Sequence, residues 1–303
     1  MTRLRIGTRG SPLALAQAHE TRRRLMAAHG LAESDLEIVV ISTTGDRVRD
    51  RPLADIGGKG LFTKEIEEAL LDRTIDLAVH SMKDVPAQLP EGLDMVAILP
   101  REDVRDAFLS LKANTIHELP QGAVLGSSSV RRTAQVLRLR PDLRPVQFRG
   151  NVETRLKKLA DGVADATFLA CAGLNRLGYT EHITWRVPTD VMLPAVAQGA
   201  IGIETRRDAH RVRDLLAAIN HEPSAIAVAC ERAFLAALDG SCRTPIAGHA
   251  ELQDGRLHFR GHALTLDGLK CFETTRVGPA ADAAAMGHDA GEEVKRAGGS
   301  AIA

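Results

Sequence analysis

The chain has few aromatic residues, no net charge and no long apolar run. Aromatic side chains make up 3% of its 303 residues, too few for a surface on which nucleic-acid bases could stack. Lysine plus arginine and aspartate plus glutamate number 39 each, so no overall positive field attracts nucleic acid. No stretch of about eighteen apolar residues could span a bilayer, and no apolar signal region precedes the first apparent strand. These absences predict a cytoplasmic protein that binds neither nucleic acid nor membrane.

Cysteine pairs and metal-binding patterns are also absent. The four cysteines lack C-x-x-C spacing, which argues against a disulfide framework; they are Cys171, Cys230, Cys242 and Cys271. The histidines do not recur at metal-ligand spacing, so we predict no metal. Cys242 differs from the other three cysteines because Gly240 ends the preceding helix, Pro245 closes the turn, and Arg243 favours a thiolate. Taken alone, an exposed structural cysteine remains the alternative to a reactive one.

The order of apolar patterns predicts the fold class. Short apolar runs alternate with helical periods over the first two-thirds, which is typical of α/β layers with a largely parallel sheet. Strand, polar turn and helix occur at Gly7–Ser11 and again at Gly126–Ser129, which indicates two similar lobes with a ligand cleft between them. After Glu222 the periodicity indicates a small α+β domain with an antiparallel sheet. The predicted domains are 1–99 with 200–217, 100–199, and 218–303.

Individual elements follow from caps and periodicity. Ser11-Pro12 begins a helix that runs to about His29. The other predicted helices cover 61–71, 130–139, 151–160, 223–238 and 283–297. The predicted strands cover 36–42, 75–80, 93–99, 124–126, 145–148 and 166–170. Residues 100–103 are predicted to form a linker, and 193–199 a crossover back to the first lobe, where 200–204 adds a strand.

Arginine is clustered where helices are predicted to begin. The chain has 31 arginines and eight lysines, and seven of the arginines fall between Arg131 and Arg155. Two clusters open helices after a strand and a polar turn, at 126–132 and 149–155. Helix N-termini attract anions, and guanidinium grips a carboxylate with two parallel hydrogen bonds. A GC-rich genome would explain the overall excess but not this placement, which predicts a ligand with several carboxylates or phosphates.

Two further segments carry polar groups that could act in a cleft. Ser81, Lys83 and Asp84 follow a buried strand directly, at the end where catalytic groups tend to lie. A surface ion pair between Lys83 and Asp84 is an equally supported alternative. Gly57-Gly-Lys-Gly60 has glycine where a phosphate-binding loop needs Ser or Thr, which excludes nucleotide hydrolysis. Two interpretations of this segment remain: a glycine-rich loop that carries Lys59 over the cleft, or a plain turn.

Taken together, these stretches resemble the porphobilinogen deaminase family, in family order across nearly the whole chain. The matching segments are Thr8-Arg-Gly-Ser-Pro-Leu-Ala14, Gly57-Gly-Lys-Gly-Leu-Phe62, Ala78-Val-His-Ser-Met-Lys-Asp-Val-Pro86, Arg101-Glu-Asp-Val-Arg-Asp-Ala107, Gly126-Ser-Ser-Ser-Val-Arg-Arg132, Arg149-Gly-Asn-Val-Glu-Thr-Arg155, Leu193-Pro-Ala-Val-Ala-Gln-Gly-Ala200 and Gly240-Ser-Cys-Arg-Thr-Pro-Ile246.

The resemblance implies a monomeric enzyme of tetrapyrrole and haem biosynthesis. Its two lobes would resemble those of periplasmic binding proteins, and its third domain would carry a covalently bound dipyrromethane cofactor. The family joins four molecules of porphobilinogen head to tail, loses one ammonia each time, and releases the linear tetrapyrrole hydroxymethylbilane. The product would pass to uroporphyrinogen-III synthase. Because each pyrrole bears an acetate and a propionate, the arginine clusters suit this chemistry.

The resemblance also implies roles for individual residues. Cys242 would hold the cofactor through a thioether, and Asp84 would be the catalytic carboxylate that stabilises the azafulvenium cation left by ammonia. Residues expected to bind the cofactor are Ser81, Lys83, Asp84, Ser128, Ser129, Arg131 and Arg132. Residues expected to bind the substrate or growing chain are Arg9, Ser11, Arg149, Arg155, Arg176 and Gln198. Lys59 would belong to the active-site loop.

Some positions depart from the family pattern. Asp55 stands where many relatives have lysine, Ala197 replaces a frequent glycine, and Ser127 replaces a frequent threonine. Only the first puts a predicted cationic contact in doubt. Two other classes of function compete with the enzyme: a non-catalytic carrier of a polycarboxylate built on the same lobes, and a nucleic-acid binder that uses the arginine clusters.

Overall fold

The computed structural model describes residues 3–47, 60–240 and 244–302. Its strands are β1 (Leu4–Thr8), β2 (Leu36–Val40), β3 (Leu77–Ser81), β4 (Leu93–Ile98), β5 (Asp106–Ser110), β6 (Val124–Gly126), β7 (Arg144–Val146), β8 (Ala166–Ala170), β9 (Trp185–Arg186), β10 (Ile201–Arg206), β11 (Ile246–Gln253), β12 (Arg256–Leu264) and β13 (Cys271–Pro279). Its α-helices are α1 (Pro12–His29), α2 (Thr44–Arg47), α3 (Lys64–Leu71), α4 (Val130–Leu139), α5 (Val152–Ala160), α6 (Cys171–Leu177), α7 (His210–Ala217), α8 (Glu222–Ala237) and α9 (Ala283–Gly298).

The described residues form two compact units. One comprises 3–47, 60–102 and 199–226, and the other comprises 103–198, 227–240 and 244–302. The second unit contains two separate sheets, a mixed one and an antiparallel one. In the described part of the chain, no helix is long and apolar enough to cross a membrane.

The first unit is a five-stranded sheet in the order β2-β1-β3-β10-β4. β1 pairs in parallel with β2 and β3, whereas β10 lies antiparallel between β3 and β4. The chain therefore does return to the first lobe and adds a strand, as the sequence predicts. Ile6, Leu25, Leu77 and Ile203 contribute to the core of this unit, and each is at most 1% exposed.

The polar turn after β1 begins α1 as predicted. Ser11 is the N-cap, and its hydroxyl accepts a hydrogen bond from the backbone N–H of Ala14. Pro12 occupies the first helical position, and Gly30 ends the helix with a positive φ of 63°. These signals hold Arg9 and Ser11 at the carboxyl end of β1.

The second unit begins with a lobe of the same plan. Its sheet order is β7-β6-β8-β5-β9, with β6 parallel to β7 and β8, and β5 antiparallel between β8 and β9. Each lobe thus has one antiparallel strand, and the chain enters that strand directly after it crosses between lobes. The sequence patterns gave no prediction for β5 itself. Its inward-facing Asp106 breaks the apolar run by which buried strands are recognised.

The C-terminal part confirms the predicted antiparallel α+β domain. β11, β12 and β13 form an antiparallel meander with α8 and α9 nearby in sequence. The rings of Phe234 on α8 and Phe259 on β12 lie 5.0 Å apart between centroids. With two α/β lobes before this domain, the predicted fold class is confirmed.

The crossover into β10 is held by a buried carboxylate. Glu231 on α8 is fully buried and accepts hydrogen bonds from the backbone N–H groups of Ala197 (2.6 Å) and Ala250 (2.8 Å). Ala197 has a positive φ of 59°, a conformation that favours glycine. The alanine that departs from the family pattern therefore occupies a strained position.

Close packing of α9 on α8 makes Gly287 sensitive to substitution. A Cβ at Gly287 would lie 2.0 Å from the backbone oxygen of Cys230, which cannot move without disturbing α8. Gly287→Ala should therefore lower the free energy of unfolding by about 1–3 kcal/mol despite the better helix propensity of alanine. Urea unfolding followed by circular dichroism measures the change. The control is His288→Ala on the exposed face of the same helix, expected within about 0.5 kcal/mol of the wild type; equal stability of both variants would contradict the packing argument.

Candidate functional site

A pocket in the first unit brings together four of the predicted site residues. Arg9, Ser11, Ser81 and Asp84 all line it. Ser81 is the last residue of β3, and Asp84 ends the 3-10 turn Met82–Asp84 that follows. The pocket therefore lies at the carboxyl ends of two parallel strands, β1 and β3, where ligands of open α/β sheets are expected.

Arg9 is oriented by an acidic and an aromatic side chain. Its Nε donates to Asp46 Oδ2 at 3.2 Å, and its guanidinium carbon lies 4.2 Å from the centroid of the Phe62 ring. Although burial alone would raise the pKa of Asp46, hydrogen bonds from Arg9 and Thr43 lower it, so the pair is charged at neutral pH. The guanidinium is fixed in direction before any ligand arrives.

Two further polar residues that line the pocket, Gln17 on α1 and Ser81 on β3, are hydrogen-bonded to each other. The side-chain amide of Gln17 donates to Ser81 Oγ at 2.8 Å, and Ser81 Oγ donates to Gln17 Oε1 at 3.0 Å. The sequence patterns predicted no role for Gln17. Gln17 could have been predicted from the helical spacing. It lies on the same buried face of α1 as Ala14, Ala18 and Thr21, where a large polar side chain is unusual among small residues.

Asp84 is a half-buried carboxylate that faces this pocket. Within the described part of the chain, its carboxylate makes no hydrogen bond or ion pair. Lys83 is exposed and does not line the pocket. The arrangement can therefore present a negative charge to a cation formed in the pocket, beside donors that can bind a ligand carboxylate.

In the second unit, one buried carboxylate binds three of the predicted site residues. Arg132 donates to Asp106 Oδ1 through Nη2 (2.7 Å) and Nε (3.0 Å), and Gln198 donates to the same oxygen at 3.1 Å. Nη1 of Arg131 lies 2.8 Å from Asp106 Oδ2. Asp106 and Gln198 are fully buried, and both arginines are nearly so.

The charges in this cluster do not cancel. Two buried guanidiniums face one carboxylate, and although burial alone would raise the pKa of Asp106, these guanidiniums hold it well below its usual range. Burial, and then the positive charges of Arg131, Arg138 and Arg260, lower the pKa of His262 to about 4. This end of the second lobe therefore has an excess of positive charge, which an anionic ligand would neutralise.

The serines, Arg149 and Arg155 lie near helix starts of the same unit, whereas Arg176 lies near a helix end. Ser129 is the N-cap of α4 and accepts from the backbone N–H of Arg132 at 3.4 Å, while Ser128 Oγ accepts from the backbone N–H of Phe148 at 3.0 Å. Arg149 precedes α5, Arg155 lies within it, and Arg176 lies in the last turn of α6.

Asp106 was missed as a site residue by the sequence analysis. The segment Arg101–Ala107 was recognised as part of the family pattern, but none of its residues received a role. The available signal was an acidic residue at the start of a strand whose other residues are apolar or small, since a carboxylate in such a place needs buried partners.

Several predicted residues lie outside the described residues, namely Lys59, Cys242, Asp55 and Arg243. Among the described cysteines, burial raises the pKa of the Cys171 and Cys230 thiols to about 12, so neither is a reactive thiolate at neutral pH. In the ranges that the structure describes, no group of three His, Cys, Asp or Glu side chains is placed to hold a metal ion.

Comparison with known proteins identifies the family. The family profile "Porphobilinogen deaminase, dipyromethane cofactor binding domain" matches residues 4–214, and "Porphobilinogen deaminase, C-terminal domain" matches residues 225–296. The chain belongs to the porphobilinogen deaminase family. It is 65% identical to porphobilinogen deaminase of Paracoccus denitrificans, covering 96% of this chain and 93% of the relative. It is 57% identical to porphobilinogen deaminase of Nitrobacter hamburgensis, covering 97% and 93%.

Among solved structures, a periplasmic substrate-binding protein of an ABC transporter from Coxiella burnetii is similar at 15% identity. Its TM-score is 0.44, and the similarity covers 76% of this chain and 96% of that one.

Membership of the deaminase family makes this chain an enzyme of tetrapyrrole biosynthesis that condenses porphobilinogen, with dipyrromethane as its cofactor.

The unequal charges around Asp106 predict a large effect of removing its carboxylate. Asp106→Asn leaves two buried guanidiniums without a counter-ion and should lower the free energy of unfolding at pH 7 by about 3–5 kcal/mol. Because the folded pKa is depressed, the wild type keeps this contribution above the unfolded pKa of about 3.9 and loses it only as the pH falls through the folded value.

Urea unfolding at pH 7, followed by circular dichroism, measures the loss. Asp142→Asn is the matched control, because Asp142 pairs with Arg140 in a partly exposed ion pair and should cost about 1 kcal/mol or less. A loss at Asp106 no larger than at Asp142 would show that the buried cluster does not depend on its carboxylate.

Proposed function

We propose that the chain makes hydroxymethylbilane by joining four porphobilinogen molecules, with Asp84 as its catalytic carboxylate. The observation that carries the proposal is the pocket of the first unit, in which Asp84 lies with Arg9, Ser11 and Ser81. Loss of ammonia from porphobilinogen leaves a cation on the substrate. A preorganised carboxylate in the pocket stabilises that charge as it develops, and Arg9 is already oriented to meet an acidic side chain of the substrate.

The dipyrromethane cofactor fits the second lobe on grounds of charge. The two buried guanidiniums beside Asp106 favour the acetate and propionate groups of such a cofactor. When bound, the cofactor supplies the pyrrole carbon to which the first substrate is joined. The residues proposed to hold its acidic groups are Ser81, Lys83, Ser128, Ser129, Arg131 and Arg132.

The proposed contacts with substrate and growing chain involve Arg9, Ser11, Arg149, Arg155, Arg176 and Gln198, with Lys59 on the active-site loop. Arg149 and Arg155 flank the start of α5, where N–H groups at a helix start also favour anions. Gln198 is fully buried against Asp106, so a direct contact with substrate requires its side chain to move. For Gln198 and Lys59 the substrate role stays a prediction.

Cys242 is proposed as the attachment site of the cofactor. Two of the other cysteines are fully buried with raised thiol pKa values, and the third, Cys271, is half-buried with its pKa raised by burial. A thioether would survive repeated turnover. This support comes from the other cysteines, since Cys242 lies outside the described residues.

Further properties are proposed from family membership. They are a monomeric state, a cytoplasmic location, and transfer of the product to uroporphyrinogen-III synthase. The division into domains 1–99 with 200–217, 100–199 and 218–303 is also a proposal. Its support is that the described residues contain three separate sheets, one in each of these ranges.

Intact-protein mass tests the attachment site. The purified wild type should be heavier than its sequence by two condensed pyrroles, and Cys242→Ser should lack the whole increment because a hydroxyl cannot form the thioether. Cys271→Ser is the control and should keep the added mass. An increment that persists in Cys242→Ser, or that is absent from the wild type, would reject the attachment site or favour a non-catalytic carrier.

Replacement of Asp84 tests the catalytic carboxylate. Asp84→Asn should keep the fold and the cofactor increment but lower kcat by about a hundredfold or more, because it removes a preorganised charge at the reacting centre. The measurement is the steady-state rate of hydroxymethylbilane formation, with circular dichroism to verify folding. Asp72→Asn, an exposed carboxylate change in the same lobe, should leave the rate unaltered. A near wild-type rate for Asp84→Asn would remove that residue from its role.

A further inference from the structure

A buried histidine–carboxylate pair lies in the wall of the Asp84 pocket. Nε2 of His80 on β3 is 2.9 Å from Oε2 of Glu204 on the neighbouring strand β10. The His80 side chain is 3% exposed and the Glu204 side chain is fully buried. None of the roles derived above uses this pair, although a carboxylate buried in a sheet is costly unless it is paired.

The two nitrogens of His80 have different surroundings. Nε2 is bonded to Glu204, whereas Nδ1 has no hydrogen-bond partner among the described residues. His80 also lines the pocket that contains Asp84. A pocket-lining histidine with one nitrogen bonded to a buried carboxylate, and the other without a partner among the described residues, has the arrangement of a general acid–base group, because the carboxylate fixes the ring.

A second glutamate completes the cluster. Glu67 on α3 is 7% exposed, and burial together with the negative charge of Glu204 raises its pKa. Glu67 Oε1 and Glu204 Oε1 are both buried without a hydrogen-bond partner among the described residues. Glu67 therefore holds a proton more readily than an exposed glutamate does, and it lies beside the His80–Glu204 pair.

We propose that His80, oriented by Glu204, is a second acid–base group of the reaction and carries the proton that each condensation releases. This inference rests on the function proposed above. In each condensation, the carbon–nitrogen bond of the protonated aminomethyl group of porphobilinogen breaks, and its electron pair leaves with neutral ammonia. The new carbon–carbon bond then forms, and the pyrrole carbon that was attacked loses its hydrogen as a proton. Nδ1 of His80 accepts that proton and passes it to the released ammonia, which leaves as ammonium.

A second group resolves a conflict that one carboxylate cannot. Asp84 stabilises the substrate cation only while it is negatively charged, and it loses that charge if it also holds the released proton. With His80 as proton carrier, Asp84 stays charged throughout the step. The imidazolium formed on His80 is neutralised by Glu204 in the sheet behind it.

The groups that face His80 define its expected pH behaviour. They are Glu204 on β10, Glu67 on α3, and the pocket-lining Arg9 and Asp84. Glu204 and Asp84 favour the protonated ring, Glu67 does so only when ionised, and Arg9 opposes protonation. Loss of the Glu204 charge removes the group that orients the His80 ring and should therefore weaken His80 as a base.

The test compares His80→Gln and Glu204→Gln in the full-length, cofactor-bearing protein. Both should keep the dipyrromethane mass increment and the wild-type circular dichroism spectrum. We expect kcat at pH 8 to fall by about 10²-fold or more in His80→Gln, the usual size of a general-base contribution. The pH profile of kcat should change in both variants, because each removes one member of the proposed acid–base pair. The control is His29→Gln, in the same lobe but bonded to the backbone oxygen of Leu215, and should behave as the wild type.

Each other outcome overturns the inference. If both variants carry the cofactor and keep kcat and its pH profile within about twofold, His80 does not carry the proton. If the nearly isosteric Glu204→Gln fails to fold or to assemble the cofactor, the pair is structural. Failure of the proposed function itself would look different, because the wild type would then lack the mass increment or fail to consume porphobilinogen.

Discussion

The second lobe depends on the ion pairs between Asp106 and two buried arginines. Its single carboxylate holds Arg131, Arg132 and Gln198 in place, three residues from two distant segments of the chain. Because all four groups are buried, the charges are fixed in position and are little screened by solvent. The cluster carries an excess of one positive charge. The same desolvation makes the cluster costly without its anion, so the stability of this lobe depends on the Asp106 carboxylate.

The first lobe has the same strand–turn–helix plan but differs in the charged groups that its turns present. Here the turn after β3 presents Asp84, and the turn after β1 presents Arg9, which is held by Asp46 and Phe62. The first lobe thus presents a negative charge at this end of its sheet, while the second lobe has an excess of positive charge around Asp106. This difference follows from which polar residues stand at the carboxyl ends of the strands.

The buried pair of His80 and Glu204 adds a proton-handling element to that plan. It depends on β10, which enters the first sheet antiparallel after the crossover and so places Glu204 beside β3. A fully parallel lobe made only of the first hundred residues would lack this carboxylate. The return of the chain to the first lobe therefore supplies a charged group as well as a strand.

Local patterns in the sequence determined much of this protein. The Ser11 cap with Pro12 specified α1, and the apolar run before Ser81 specified β3, because these signals act over a few neighbouring residues. The family motifs led only to predicted roles for Asp84 and the arginines. Only the tertiary structure decided that Arg132 meets Asp106 and that His80 meets Glu204. Those partners are 26 and 124 residues apart in sequence. They meet because strand pairing brings them together and because a buried charge needs a partner, and no local pattern encodes either effect.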